Sequence, residues 1–493
     1  MTDTSAYAFG MTTAVGVALA TLTGCKAVGP DYRRPDIAAP VVYRDAGSSA
    51  SETLAELSWW SVFKDPALQG LIRVALTNSY DLRIVLTRED QARALKMQAE
   101  SQFLPGLGYG GTASRGGNTF LSMPSLDGGR CLNGFAGGFQ AVWEIDLWGR
   151  VRRMNEAARA KYMESVEGRR AVTVSVVGGV ARVYFELLEL DDQRMIARRT
   201  ETSYRRTLAL FEDQHANGLA SKLELARAQA ALHTVSAKIP EIERQIAMKE
   251  NELNVLLGCN PGPVHRTSDL LSQELPACVP AGLPSALLER RPDIRMAEQR
   301  VREANAEVGV TLGDFFPRVG LTTFVGAMST DLDQITKDGA RTWSLAADAA
   351  GPIFTGGSLT GRYRQAKAAC EEAKLRYRQA ALSAFREVSD ALVSRVKLDA
   401  ARAEQAEAVA ACRDAVQVST ERYAAGKASY YEVLEAQQQL FPAETALSQL
   451  EAGRRLVLVQ LYQALGGGWS LKDESDAGQG HSKTNAPETK SGR

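Results

Sequence analysis

Few side chains in this 493-residue chain are spaced for chemistry, and those few point to lipid attachment and charge, not to catalysis. Leu22-Thr23-Gly24-Cys25 closes an apolar stretch that begins near Phe9. Such a box marks cleavage before a cysteine whose thiol then takes lipid. Residues 1–24 therefore read as an export signal, too short for a membrane span, and Cys25 as the lipidation site. No Lys or Arg precedes Cys25, and Asp3 is acidic, a departure from the usual basic start. Glu432 and Glu435 lie three apart, so one side of a helix can present both carboxylates and attract cations.

Gly106-Leu-Gly108-Tyr-Gly110-Gly111 fits G-x-G-x-x-G, but a dinucleotide cradle needs a strand before it and a helix after it. Here the motif follows a helical pattern and opens an alternating one. Gly351–Ser358 lacks the lysine of a phosphate loop. The four histidines (His215, His233, His265, His481) are scattered, and the chain has no HExxH, CxxC or nucleophile elbow. No metal, cofactor or enzymatic site is expected. Cys370 and Cys412 fall on one predicted helix about 63 Å apart, beyond disulfide reach within a chain. Cys259 and Cys278 flank a Pro-rich loop and could pair in an oxidising compartment. With 58 basic against 58 acidic residues, nothing favours nucleic acid as a partner.

These residues are carried by a duplicated framework. Leu225, Ala228, Leu232, Val235, Ile239, Ile242, Ile246, Lys249, Leu253 and Leu256 step alternately by three and four, the period of a supercoiled helix seam. At a constant offset of 208 stand Val433, Ala436, Leu440, Ala443, Leu447, Leu450, Arg454, Val457, Leu461 and Ala464. Gly218 and Gly426, Ser221 and Ser429, and Glu224 and Glu432 keep the same offset. This is an internal repeat, and it sets Ile242 and Leu450 at equivalent positions.

Trp59-Trp60 through Asp65-Pro66 opens a helix, Asn78-Ser79 interrupts it, and a second helix runs from about Asp81 to Phe103. The period then changes to two. Phe135, Gly137, Phe139, Ala141, Trp143, Ile145 and Leu147 alternate with a face holding Gln140, Glu144 and Asp146, as in a strand with lipid on one side and water on the other. Leu104 to Ser114 is its expected hairpin partner. The second copy supplies Arg318–Thr330 and Arg341–Ile353. In lipid every backbone polar group must be paired, so a sheet must close. Four strands cannot close a membrane barrel, and the chain must assemble with copies of itself: two give eight strands, three give twelve. The strand count leaves both open.

A long helix follows each hairpin, from about Gly149 to Asp213 and from about Gly357 to Tyr423. Val176, Val180, Val183, Leu187 and Leu190 mark the seam of the first; Leu382, Phe385, Ser389, Leu392 and Val396 mark that of the second. Each turns at small residues, Asn217, Gly218 and Ser221 in one copy and Gly426, Ala428 and Ser429 in the other. No transmembrane helix is expected. The resulting division is 1–24 signal; 25–65 lipidated arm; 66–258 first repeat, with hairpin 104–147 and helix pair 149–257; 259–283 linker; 284–468 second repeat, with hairpin 318–353 and helix pair 357–465; and 469–493 a disordered tail.

Several motifs together resemble one family, the TolC-like outer-membrane factors of tripartite efflux pumps, in their NodT-type lipoprotein branch. They are Cys25 with Val28-Gly29-Pro30-Asp31-Tyr32; Trp59-Trp60 through Asp65-Pro66; Gly282-Leu283-Pro284 with Arg290-Arg291-Pro292-Asp293-Ile294; and Tyr423-x-x-Gly426 with Val433-Leu434-Glu435-Ala436. The resemblance covers roughly residues 25–468. It implies a mixed α and β fold and a homotrimeric duct, with a twelve-stranded barrel in the outer membrane. A periplasmic α-barrel of coiled-coil helices would hang below, with 259–283 in an equatorial belt. An inner-membrane pump and a periplasmic adaptor would be the partners, and the adaptor would meet the tips at Asn217, Gly218, Ser221, Gly426, Ala428 and Ser429. Glu432 and Glu435 would line the closed periplasmic gate. Ala428 stands where a latch arginine occurs in a relative, so the latch would come from Arg422, Lys427 or Lys222. The competing reading is a structural or adhesive surface trimer with helical stalks, which would need no gate.

Overall fold

The structure is a computed structural model. It describes residues 26–40, 59–116, 132–266, 269–272 and 284–467. The export signal, Cys25, Cys131, Cys278 and the tail 469–493 lie outside the described residues, as does 273–283 of the linker. The Cys259 thiol is free and exposed.

The first copy comprises α1 (Trp59–Val62), α2 (Pro66–Asn78), α3 (Tyr80–Ser101), β1 (Gly106–Gly116), β2 (Leu132–Ile145), α4 (Arg150–Ala216), α5 (Lys222–Ser236) and α6 (Lys238–Leu256). The second comprises α7 (Pro284–Arg290), α8 (Pro292–Gly313), β3 (Arg318–Ser329), β4 (Arg341–Ala350), α9 (Ser358–Ala424) and α10 (Tyr430–Ala464). α4 and α9 each have 67 residues, roughly 100 Å of helix.

The chain forms two compact units. One gathers Arg88–Val166 and Met296–Arg378 with the described arm up to Asp36. It holds a four-stranded antiparallel sheet in the order β1-β2-β3-β4, so the two hairpins join through β2 and β3. Paired positions run across all four strands: Tyr109, Phe139, Val325 and Trp343 share one row and therefore one face. All four are more than half exposed, up to 87% for Tyr109. The opposite face carries Gln140, Glu144, Thr322, Ser344 and Asp348, which bears out the alternation read in β2. The last strand stops at Ala350, three residues earlier than expected. Gly351 is pressed against Pro317, and Pro352 has no N–H to donate.

The arm motif is tied to this unit. Asp31 pairs with Arg153 at 2.7 Å, the Tyr32 hydroxyl donates to Glu298 at 3.1 Å, and Asn305 donates to the Pro30 carbonyl at 2.8 Å. Gly29 sits so close to Gly309 that a Cβ would meet its backbone at 2.5 Å.

The other unit gathers Glu167–Arg295 and the chain from Gln379, with the described part of the stretch up to Thr87. Asp65 caps α2 by accepting from the Ala67 N–H at 2.8 Å, and its second oxygen accepts from the buried Tyr184 hydroxyl at 2.6 Å. The expected α4 seam is buried: Val176, Val180, Val183, Leu187 and Leu190. One stretch of α4 is, by length and composition alone, apolar enough to cross a bilayer. More than half of it is buried inside the chain, as seam packing requires.

Three seam expectations are corrected. On α9 Phe385 and Leu392 are buried as expected and Ser389 is half-buried, but Leu382 and Val396 are exposed, and Ala381, Ala384, Val388 and Ala391 complete the buried stripe. Alanines let neighbouring helices approach closely, so the small-residue face packs inward. The first returning seam is interrupted at Ala237 between α5 and α6. Pro240 falls in that first turn and cannot donate the backbone bond that would run through the break. The second returning helix is continuous, but its seam is buried only at its ends. Ile242 is 8% exposed, whereas Leu440, Leu447 and Leu450 are half-buried.

Charge occupies the buried middle of α10. Glu444, Ser448, Glu451 and Arg455 are each at most 5% exposed. Glu444 accepts from Arg413 at 2.8 and 3.0 Å and from Arg199; Glu451 accepts from Arg402 at 2.7 Å and Arg455 at 2.9 Å. Burial alone would push the Glu451 carboxyl up, but the Arg402 and Arg455 bonds overcome it and hold it below the usual carboxylate range. Buried carboxylates are tolerable only when paired in this way. Glu451→Ala should therefore cost about 3–5 kcal/mol by removing the buried carboxylate that Arg402 and Arg455 share, whereas Glu451→Leu with Arg455→Leu should cost far less. Thermal melts of both variants check this; equal losses would refute the pairing argument.

Candidate functional site

The two helix turns start from the same repeat position and end with different chemistry. In the first, Gly218 takes φ +73° and Ser221 caps α5. The Glu224 carboxylate accepts from the Ser221 N–H at 2.8 Å, and the Glu224 N–H donates to Ser221 Oγ at 3.3 Å, a closed capping box. The bonds from the Ser221 backbone and hydroxyl hold the Glu224 carboxyl below its ordinary range. In the second turn, Gly426 takes φ +68° and Ser429 occupies the cap position without a side-chain cap bond. Glu432, the repeat partner of Glu224, instead meets Arg422 at 3.1 Å.

Of the three basic residues considered as latches, Arg422 is thus the one placed on Glu432. Lys427 and Lys222 are exposed. Glu432 is half-buried and Glu435 exposed, both in the first turns of α10. Asn217, Gly218, Ser221, Gly426 and Ser429 are exposed and Ala428 is half-buried. Asn217 donates to the Asp213 carbonyl at 2.9 Å, closing the first turn.

Sequence reading missed the ties that join the two helix pairs behind these turns. Tyr430, Val433, Leu434, Tyr204, Phe211, Ala228 and Leu232 form one buried cluster. The Tyr430 and Thr207 hydroxyls bond each other, Gln214 donates to the Tyr423 hydroxyl at 2.9 Å, and Gln437 donates to Ser203 at 3.3 Å. Burial pushes the Tyr204 phenol up to about 12 and raises Tyr430 as well, so both stay neutral. The available signal was Ser203, Thr207 and Gln214 along one face of α4. Among the described residues, no group of three or more His, Cys, Asp or Glu is placed to hold a metal.

The sheet supplies the second feature of the site. Among the described residues, β1 and β4 each have one neighbouring strand, so each leaves a row of backbone groups without a strand partner there.

The turns make a direct prediction. A Cβ at Gly426 would meet nothing within 4 Å, so Gly426→Ala tests backbone conformation alone. It should cost ~1–2 kcal/mol because an L-residue resists positive φ, and Gly426→Asn should recover part of that. Melting temperatures in detergent read the series, and an unchanged value for the alanine variant would contradict the turn.

Comparison with known proteins supplies the family. A family model described as outer membrane efflux protein matches residues 71–259 and 283–467, one block per copy. The solvent efflux pump outer membrane protein SrpC of Pseudomonas putida is 35% identical over 467 residues, covering 92% of this chain and 97% of that protein. The cation efflux system protein CusC of Escherichia coli O6:H1 is 32% identical over 457 residues, covering 92% and 97%. Among solved structures, the open state of the Neisseria gonorrhoeae MtrE outer membrane channel superposes with a TM-score of 0.81 at 30% identity, covering 90% of this chain and 98% of that one. With both repeats matched and relatives aligned over nearly their whole length, the chain belongs to the outer membrane efflux protein family, a family of channels.

Proposed function

We propose that three copies of this chain form an outer-membrane efflux duct that conducts small molecules and catalyses no reaction. The observation that carries this reading is the open-edged sheet with its exposed row Tyr109, Phe139, Val325 and Trp343. Apolar side chains on one face and polar ones on the other suit a wall between lipid and water. Such a wall is stable in lipid only if β4 of one copy pairs with β1 of the next. Three copies close twelve strands around a water-filled lumen. The long helices would form the periplasmic α-barrel and 259–283 the equatorial linker, with 66–258 and 284–468 as the repeats. An inner-membrane pump would deliver cargo and a periplasmic adaptor would join it at the turns around Asn217, Gly218, Ser221, Gly426, Ala428 and Ser429.

In this reading Glu432 and Glu435 ring the periplasmic aperture and Arg422 holds the ring shut, with Lys427 beside it. Six carboxylates around one opening repel each other and concentrate cations. The Arg422–Glu432 contact at 3.1 Å supports a latch on this element. Cys25 would carry the lipid that anchors the mature protein to the outer membrane.

Two experiments test this. In planar bilayers the purified protein should form channels that multivalent cations block from the periplasmic side, and Glu432→Gln with Glu435→Gln should relieve the block. Undiminished block would remove these carboxylates from the aperture, and a monodisperse monomer in analytical ultracentrifugation would sink the duct itself. Separately, Cys25→Ser should abolish metabolic acyl labelling; persistent labelling would place the lipid elsewhere.

A further inference from the structure

The alternation of the sheet breaks at Phe324. This residue pairs with Gln140 on β2 and with Ser344 on β4, so it shares their polar face. Among the described strand residues it is the one aromatic there: Tyr109, Phe135, Phe139, Trp143 and Trp343 all take the opposite face. The rest of the polar face is short in side chain around it, with Gly108, Ala136, Thr322 and Ala346 as neighbours.

The next position on that face of β3 is Gly326, and its pair on β2 is Gly138. Strand side chains ordinarily stand roughly perpendicular to the sheet and lean along the strand. Here neither glycine has a side chain to stop the lean. A Cβ at Gly138 would meet the tip of the Phe324 ring at 2.9 Å, and so would a Cβ at Gly326. The ring therefore lies down over the glycine pair and is half-buried. The two backbones are also close, since a Cβ at Gly138 would meet the Gly326 Cα at 2.7 Å. Glycine in a strand interior marks such a close approach.

We propose that Phe324 sets the bore of the barrel lumen, and that the Gly138–Gly326 seat keeps that bore open by holding the ring on the wall. The inference rests on the duct reading. Closure across three copies brings three Phe324 rings to one level of the water-filled space. Seated, each ring adds little to the wall. Lifted by a side chain at either glycine, each would stand into the passage and limit the size of cargo that crosses this level.

The test measures that limit from outside the cell. Asp348 is exposed on the same face, four residues beyond Ser344 toward the end where β4 leads into α9. A reagent that enters from the hairpin loops must pass the Phe324 row to reach it. Full-length protein carrying Asp348→Cys is exposed in intact cells to maleimide-polyethylene glycols of graded size, and label is read on the peptide that holds position 348. Small reagents should react and large ones should not. Phe324→Ala should raise the size limit and Phe324→Trp should lower it. Gly326→Ala should also lower it, and adding Phe324→Ala should cancel that effect. A limit that ignores both changes at Phe324 would overturn the inference. So would a Gly326→Ala effect that persists without the ring, because its cause would then be the strand backbone. Failure of even the smallest reagent to reach position 348 would overturn the duct reading together with this inference.

Discussion

The backbone N–H and C=O groups along β1 and β4 constrain this molecule more than any single side-chain contact does. Within one chain the sheet pairs its strands in the order β1-β2-β3-β4 and leaves two edges. In water such edges can be hydrated; in hydrocarbon each unpaired group costs several kcal/mol. A face bearing Tyr109, Phe139, Val325 and Trp343 belongs in hydrocarbon, so the edges have to find each other across copies. The long helices α4 and α9, of 67 residues each, follow β2 and β4 and repeat the same arrangement in both copies.

Duplication then allows the halves to diverge where function demands it. Glu224 and Glu432 occupy the same repeat position. Glu224 is spent on a capping box with Ser221, a local bond that stiffens the first turn. Glu432 has lost that partnership and turns to Arg422, while Gln214, the repeat partner of Arg422, donates to Tyr423 across the two helix pairs. One copy therefore keeps a turn closed by its own capping bonds. The other keeps a turn held by an ion pair that a change of ionic surroundings can loosen. The middle of α10 repeats the contrast: Glu444 and Glu451 are buried among arginines, whereas their repeat partners in the first copy are a half-buried Ser236 and an exposed Glu243. Ionic contacts are directional and exchangeable in a way that apolar seams are not.

Much of this was legible in the chain itself. A constant offset of 208 exposed the repeat, the change of period from 3.5 to two located the strands, and paired glycines at 218 and 426 located the turns. These features depend on neighbours a few residues apart, so residue spacing determines them. Two motifs that carry the family resemblance, Asp31-Tyr32 and Arg291-Pro292-Asp293, also make long-range ties, to Arg153 and Glu298 and to Glu387 and Ala464.

Tertiary structure decided what depends on which surfaces meet. The apolar seam of α10 was read correctly as a pattern. Spacing could not show that its middle stays half-buried in one chain while Glu444 and Glu451 turn inward to meet arginines from α4 and α9, with Arg455 bonded to Glu451. Nor could it show which of Arg422, Lys427 and Lys222 reaches Glu432, since each of the three stands at or beside a helix turn. The β2–β3 pairing likewise joins strands from different repeats. Elements, turns and the repeat follow from local periodicity; partner choice among like charges and edges follows from geometry that only the folded chain creates.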